Sequence, residues 1–204
     1  MVHFTHIKHL PTIVTNGLLA DNPAAAAGLL AKEIGNRSIK DQRRLRPVPI
    51  GPGGVVADYA PFYYAPRSPM LYAIIKGQVP EYPDGQDPLI YLESTVERLV
   101  AEGMEPLFTD RNAVLDFTKF SASLEELDSL VDWELMEAVY WYPTDTEPDR
   151  RERRMAECLV HHRVPWECFE RVVVGTDARA LEARRLLDEM GVSDTVDTQA
   201  DWYF

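Results

Sequence analysis

The 204-residue sequence is 46% hydrophobic and has no apolar run of about 18 residues, the length that crosses a membrane, so it predicts one soluble, cytoplasmic domain over residues 1–204. Its two cysteines, Cys158 and Cys168, cannot build a four-thiolate zinc site, and we expect both to be reduced. A formal net charge of −12 argues, taken alone, against a partner as acidic as nucleic acid.

Apolar and turn-forming residues predict short strands interspersed with helices. In chain order, the predicted strands are residues 2–7, 55–65, 89–92, 106–110, 153–160 and 172–174. The predicted helices are one that ends near Gly17, one that begins near Met70, one with Ser94 as its N-cap and one over residues 178–190, with a helix or ordered loop at residues 22–35. Because strands and helices mix without regular β–α–β alternation, the predicted fold class is α+β rather than a doubly wound sheet.

The charges are distributed unevenly along the chain. Residues 37–46 contain five bases and one acid, residues 150–154 contain four bases and one acid, and residues 81–147 contain seventeen acids and three bases. Either basic block alone is equally typical of a solvated helix face. The two blocks make one site only if the fold brings them together.

Three histidines near the start of the chain, His3, His6 and His9, suggest a metal site because imidazole is a common zinc ligand. The spacing argues against it, since His3 and His6 on one strand point to opposite faces and no HExxH motif is present. We favour a histidine at a strand end that binds a ribose hydroxyl or a backbone group, and predict no metal.

A run of aromatic residues from Tyr59 to Tyr72 contains the segment Pro-Arg-Ser-Pro at residues 66–69. Most such runs belong to the core. A rigid break that presents an arginine among tyrosines also suits a flat, charged ligand. Tyrosine can stack on a nicotinamide or a base while arginine binds a phosphate.

Glu157 is the acid with the most informative sequence context. It lies in an otherwise apolar, strand-like run at residues 155–160, directly after the second basic block. A buried carboxylate is unfavourable unless it is paired or functional. The pattern leaves two interpretations open: a structural ion pair with Arg153 or another arginine, and a catalytic carboxylate.

Eight motifs follow one another along the chain. They are HFTHI at residues 3–7, IKDQRR at 39–44, DYAPFYYAPRSPMLY at 58–72, GQ at 85–86, FTDR at 108–111, DW at 132–133, RMAECLV at 154–160 and DWY at 201–203. Together, and in this order, they resemble the DarT family of DNA ADP-ribosyltransferase toxins. The resemblance spans nearly the whole chain, and the long aromatic segment is its most specific part.

The resemblance implies an ADP-ribosyltransferase fold, in which a split β-sandwich core with flanking helices clamps NAD, the substrate, in a cleft. Glu157 matches the catalytic glutamate, which binds the nicotinamide ribose and stabilises the oxocarbenium-like state as nicotinamide leaves. Arg44 matches the arginine beside the reacting centre, with a positional and electrostatic role because arginine keeps its proton. The expected NAD contacts are His3, Thr5, Tyr63, Arg67 and Tyr72, and the expected DNA contacts are Arg43, Arg46 and Arg154.

The same resemblance implies a toxin that modifies a nucleobase in single-stranded DNA and is countered by a separately encoded macrodomain antitoxin. A short single strand needs a groove with a few phosphate contacts and stacked bases, so the net charge does not exclude it. Two departures are Cys158, where an aromatic residue is expected, and the Ala-rich residues 22–35. Transfer to RNA or protein and a catalytically inactive nucleic-acid-binding module are the alternatives, with a metal-dependent hydrolase more distant.

Overall fold

The computed structural model describes residues 1–193 and 195–204, and a large, mostly antiparallel sheet forms its centre. The strands are β1 (Val2–His6), β2 (Leu18–Leu19), β3 (Tyr59–Tyr63), β4 (Leu89–Glu93), β5 (Leu107–Thr109), β6 (Phe120–Ser121), β7 (Glu157–His161), β8 (Arg163–Val164), β9 (Arg171–Val174) and β10 (Val196–Thr198). The α-helices are α1 (Leu10–Asn16), α2 (Asp21–Ala26), α3 (Arg37–Leu45), α4 (Pro69–Ile75), α5 (Val96–Ala101), α6 (Leu124–Leu130), α7 (Trp133–Glu137), α8 (Arg150–Arg153) and α9 (Asp177–Glu189). The predicted α+β class is confirmed.

The large sheet is split between two of its central strands. Its strand order is β10-β9-β4-β1-β3-β7-β5-β6. β1 pairs with β4 through five residues and β3 pairs with β7 through five, whereas β1 and β3 are paired only at Val2 and Tyr63. Beyond that pair the two strands diverge, and a cleft opens between the two halves of the sheet.

Successive side chains of a strand point to opposite faces, and in the half formed by β10, β9, β4 and β1 both faces carry apolar side chains. Helices cover both of these faces. One apolar cluster joins Leu10 and Ile13 of α1 and Ala183 and Leu187 of α9 to Val172 and Val174. The other joins Leu71 and Ile74 of α4 to Phe4, Tyr91, Val173 and Tyr203. In the described part of the chain the longest helix, α9, has 13 residues, and no helix is long and apolar enough to span a bilayer.

Three predicted boundaries are wrong, each for a local reason. Residues 56–58 form a 3-10 turn before β3 instead of extending the strand. Residues 150–153 form α8, and the strand predicted from Arg153 begins at Glu157. The N-cap of α5 is Thr95, whose hydroxyl accepts a hydrogen bond from the Arg98 N–H at 3.1 Å, while Ser94 donates to a distant carbonyl.

Candidate active site

The cleft between β1 and β3 holds a cavity of about 610 Å³. Small-molecule sites have volumes of about 300–1,000 Å³. Strand residues form the floor of the cavity, and the opposite wall is formed by α2, the loop after it and the first turns of α3. The floor includes His3, Thr5, Pro61, Tyr63 and Glu157, and the wall includes Asp21, Leu29, Lys32, Asn36, Lys40 and Arg43.

Glu157, the first residue of β7, is a buried acid of the cavity floor with 2% of its surface exposed. The Nη1 of Arg43 donates to its two carboxylate oxygens at 2.8 and 3.2 Å, and the backbone N–H of Ala113 donates to Oε2 at 3.2 Å. The backbone N–H of Glu157 donates to the Thr109 hydroxyl at 2.9 Å, which fixes the start of the strand. The carboxylate is therefore both paired and directed into the cavity.

Arg43 reaches Glu157 from α3, a helix whose start is capped by the side chain of Asn36. The Arg43 side chain is 13% exposed. Its Nη2 is buried and has no hydrogen-bond partner among the described residues. An unmade hydrogen bond of a buried donor costs about 1–3 kcal/mol, so this nitrogen is placed to bind a ligand oxygen.

The adjacent arginine, Arg44, lies on the outer side of α3. Its Nη2 donates to Asp21 at 2.7 Å and its Nη1 donates to Asp41 at 3.0 Å, and it does not line the cavity. One residue turns an α-helix by about 100°, so the two neighbouring arginines leave α3 in different directions, Arg43 toward Glu157 and Arg44 toward Asp21. Arg43 is the arginine that binds the Glu157 carboxylate, and the role beside the reacting centre expected for Arg44 stays a prediction.

His3 and Thr5 lie on one face of β1 and line the cavity. The Nδ1 of His3 donates to the carbonyl oxygen of Pro61 at 2.7 Å, since a carbonyl can only accept. Burial lowers the pKa of His3 to about 4, and the positive charge of Arg43 acts in the same direction. The neutral ring therefore presents Nε2 as an acceptor for a hydroxyl group.

Of the two tyrosines expected to contact NAD, Tyr63 lines the cavity and Tyr72 does not. Tyr63 stacks on Phe4 with ring centroids 6.2 Å apart. Tyr72 packs edge-on against Trp141 and Phe204, outside the cavity.

Arg67, the other expected NAD contact in this run, also lies outside the cavity. It has a positive φ of 54° and stacks over the Phe204 ring at 4.6 Å. In this conformation neither Arg67 nor Tyr72 contacts the cavity for which it was predicted.

Two of the expected DNA contacts are bound within the protein. Arg46 donates to the side chain and backbone of Asp116, at 2.9 and 3.0 Å. Arg154 is 5% exposed and donates to the carbonyl oxygens of Leu135 and Met136, both at 2.6 Å, and of Pro66 at 2.9 Å. Burial lowers the pKa of Arg154 to about 10. Arg46 thus joins the end of α3 to Asp116, and Arg154 joins residues 135–136 to Pro66, while the contact of either arginine with DNA stays a prediction.

The segment 110–156, which connects β5 to β7, also supplies cavity residues that the sequence analysis did not single out. Asn112, Arg151 and Met155 line the cavity, and Ala113 contributes the N–H that binds Glu157. A backbone donor leaves no mark in the sequence. Arg151 comes from the second basic block and Arg43 from the first, so the two blocks meet at this cavity.

The histidines do not gather around a metal position. Across residues 1–193 and 195–204, no group of three or more His, Cys, Asp or Glu side chains is placed to hold a metal ion. The Nδ1 of His6 accepts a hydrogen bond from the Lys8 N–H at 3.1 Å, and His9 bonds to Thr5.

Known proteins are similar to this chain over most of its length. The family described as "DarT: ssDNA thymidine ADP-ribosyltransferase" matches residues 2–204. The DNA ADP-ribosyl transferase of Thermus sp. (strain 2.9) is 38% identical over 205 residues, covering 99% of this chain and 94% of that protein. A Thermosipho africanus fusion of a DNA ADP-ribosyl transferase and a DNA ADP-ribosyl glycohydrolase is 26% identical over 163 residues, covering 78% of this chain and 38% of the fusion.

Solved structures of Thermus sp. 2.9 DarT have the same fold. Its complex with ADP-ribosylated ssDNA matches with a TM-score of 0.92 at 37% identity, covering 100% of this chain and 95% of that one. Its complex with NAD+ matches with a TM-score of 0.86 at 37% identity, covering 100% and 96%. The chain therefore belongs to the DarT family of ssDNA thymidine ADP-ribosyltransferases.

Proposed function

We propose that this protein transfers ADP-ribose from NAD to the base of a thymidine in single-stranded DNA. The observation that carries the proposal is the buried pair of Glu157 and Arg43 on the cavity, in which one guanidinium nitrogen has no partner among the described residues. Family membership and the NAD+ and ADP-ribosylated ssDNA complexes of the Thermus relative support the same assignment.

The polar groups of the cavity suit NAD as a substrate. The unpartnered Nη2 of Arg43 is a donor for a phosphate or ribose oxygen, and the Nε2 of His3 is an acceptor for a ribose hydroxyl. Thr5 adds a hydroxyl on the same floor, and Tyr63 adds an aromatic ring. We assign these four residues to NAD binding.

Glu157 is assigned the role of stabilising charge during bond cleavage. When nicotinamide leaves with the bonding electrons, positive charge develops on the ribose, and a carboxylate fixed in a buried site stabilises it. The acceptor base then bonds to the ribose carbon and loses a proton, which a carboxylate can accept. Arg43 holds the carboxylate in position and keeps its own proton, because a guanidinium does not act as a base at neutral pH.

The test is incubation with NAD and a thymidine-containing oligonucleotide, read by mass spectrometry. We expect the mass of one ADP-ribose unit on the DNA, and a loss of rate of at least about a hundredfold in Glu157→Gln, the size seen when a group that stabilises transition-state charge is removed. Arg43→Ala and Arg44→Ala form a matched pair, of which the first loses activity and the second keeps it within a few-fold. Unmodified DNA beside ADP-ribosylated RNA or protein would contradict the proposal.

We further propose that the chain is the toxin of a toxin–antitoxin pair that acts in the cytoplasm, with a separately encoded macrodomain antitoxin as its partner. Support comes from the Thermosipho africanus fusion, which joins the same kind of transferase to a DNA ADP-ribosyl glycohydrolase. Expression in a bacterial host should arrest growth, and co-expression of a DNA ADP-ribosyl glycohydrolase should restore it. Growth arrest that persists in Glu157→Gln would exclude DNA modification as its cause.

A further inference from the structure

His9 connects the floor of the cavity to its wall. It is 8% exposed and lies at the end of the 3-10 turn Ile7–His9, directly before α1. Its Nδ1 lies 2.8 Å from the Thr5 hydroxyl oxygen, and its Nε2 lies 3.0 Å from the backbone nitrogen of Lys32. Because Thr5 belongs to the floor and Lys32 to the wall, one imidazole ring links the two sides of the site.

The Lys32 contact determines which ring nitrogen of His9 carries the proton. A backbone N–H can only donate, so Nε2 must accept, and a neutral ring then has its proton on Nδ1. That N–H donates to the Thr5 oxygen. Thr5 consequently accepts from His9 and keeps its own hydroxyl proton, which it can donate to a ligand in the cavity.

The Lys32 contact also restrains the loop 27–36, which forms part of the wall. In the described part of the chain, the Lys32 N–H is the one backbone group of residues 30–35 that bonds to the side of β1 and α1. The Gly35 N–H instead turns to the Glu33 carboxylate, at 3.0 Å. The side chain of Lys32 pairs with Asp84 at 2.7 Å, but both are about a third exposed, and such pairs contribute little.

We infer that His9 is a positioning residue for NAD, which in its neutral form holds the loop 27–36 over the cavity and sets the Thr5 hydroxyl as a donor, and in its protonated form releases the loop. A protonated ring has donors on both nitrogens, so its Nε2 can no longer accept from Lys32. The inference rests on the proposed use of NAD by this site.

The groups around His9 favour its neutral form. Burial lowers the pKa of His9 below its usual value of 6.5, His6 and Lys40 act in the same direction, and Glu33 opposes them. The His6 ring is 6.3 Å away, centroid to centroid. His9 is therefore neutral near pH 7 and gains its proton below 6.5, where NAD binding should weaken.

The test separates the two hydrogen bonds by substitution. His9→Phe keeps the ring shape and loses both bonds, His9→Gln keeps an acceptor near Nε2, and His9→Asn keeps a donor near Nδ1. Binding of carba-NAD+, the analogue bound in a solved structure of the Thermus relative, is measured by calorimetry. We expect the dissociation constant to rise about three- to tenfold in His9→Phe, the effect of one hydrogen bond, and each amide variant to restore part of it.

The pH profile distinguishes positioning from a merely structural role. As pH falls from 6.5 toward the pKa of His3, which burial lowers to about 4, the dissociation constant of the wild type should rise, and that of His9→Gln should stay flat because an amide does not titrate there. Lys8→Gln, an exposed change on the same turn, is the control and should follow the wild type.

Three results would overturn the inference. Unchanged binding in His9→Phe would show that the ring does not position the site. A pH dependence in His9→Gln equal to that of the wild type would show that another group titrates. No binding of carba-NAD+ by the wild type at any pH would remove the proposed use of NAD, and the inference with it.

Discussion

Replacing Arg43 by alanine removes the charged partner of a buried carboxylate. Glu157 is 2% exposed and binds Arg43 at 2.8 and 3.2 Å, and its carboxylate would keep, among the described residues, the hydrogen bond from the Ala113 N–H at 3.2 Å. Breaking a buried ion pair by removing one partner costs about 3–5 kcal/mol. Because Arg43 is 13% exposed and borders an open cavity, we expect a loss at or below the lower limit of that range, about 2–3 kcal/mol.

Urea unfolding of four proteins measures this value. The wild type, Arg43→Ala, Glu157→Gln and the double variant form a cycle, and the double variant should be more stable than the sum of the single losses predicts, by about 1–3 kcal/mol. Arg44→Ala is the matched control and should lose at most about 1 kcal/mol, since the Arg44 side chain is 38% exposed and Asp21 keeps its ion pair with Lys40. Equal losses for the two arginines, or strict additivity in the cycle, would refute the pairing.

Further predictions concern protonation, the buried arginine and a tight turn. Burial lowers the pKa of His3 from 6.5 to about 4, so the unfolded chain binds more protons than the folded protein between these pH values. The stability advantage of the wild type over His3→Gln, measured by urea unfolding, should therefore fall as pH drops through this window, by at most about 3 kcal/mol. Arg154→Met should lower the melting temperature and speed proteolysis of the segment 110–156, since it removes the donor to the carbonyl oxygens of residues 66, 135 and 136. The salt dependence of oligonucleotide binding should stay that of the wild type. Gly17→Ala, at φ +77° with an added Cβ 2.6 Å from the Val164 carbonyl oxygen, should destabilise by more than about 2 kcal/mol, whereas Gly28→Ala, at φ +66° with nothing within 4 Å, should lose about 1 kcal/mol in thermal unfolding.

Strands and helices could be predicted correctly where the local sequence fits only one type of secondary structure. The apolar runs at residues 89–92 and 172–174 correspond to β4 and β9, and the helix predicted over residues 178–190 corresponds to α9. The boundaries failed where the local sequence allows two structures. Ser94 and Thr95 can each cap a helix, and the choice depends on the Cys168 carbonyl, which binds Ser94 from a segment 74 residues away.

The motifs that contribute to the candidate site could be predicted from the sequence, but which of two adjacent arginines binds Glu157 could not. Glu157, His3 and Thr5 each have a place in an ordered set of motifs and all line the cavity, and their roles in it stay predictions. Arg43 and Arg44 are adjacent and chemically identical, so choosing between them requires the rotational phase of α3. Arg154 could not be predicted as a buried anchor, because the carbonyl groups that surround it carry no sequence signal.

The net charge of the whole chain does not indicate whether the protein can use a nucleic acid as a substrate. The value of −12 is set mainly by the acidic residues between positions 81 and 147, whereas binding depends on the charge at the cavity. Several bases of the two blocks are held by acids, as Arg44 is by Asp21 and Arg153 by Glu147. Arg43, which binds Glu157, and Arg151 line the cavity itself. Bases of both blocks thus line the cleft, so the charge that bears on a short single strand is the local charge there and not the sum over the chain.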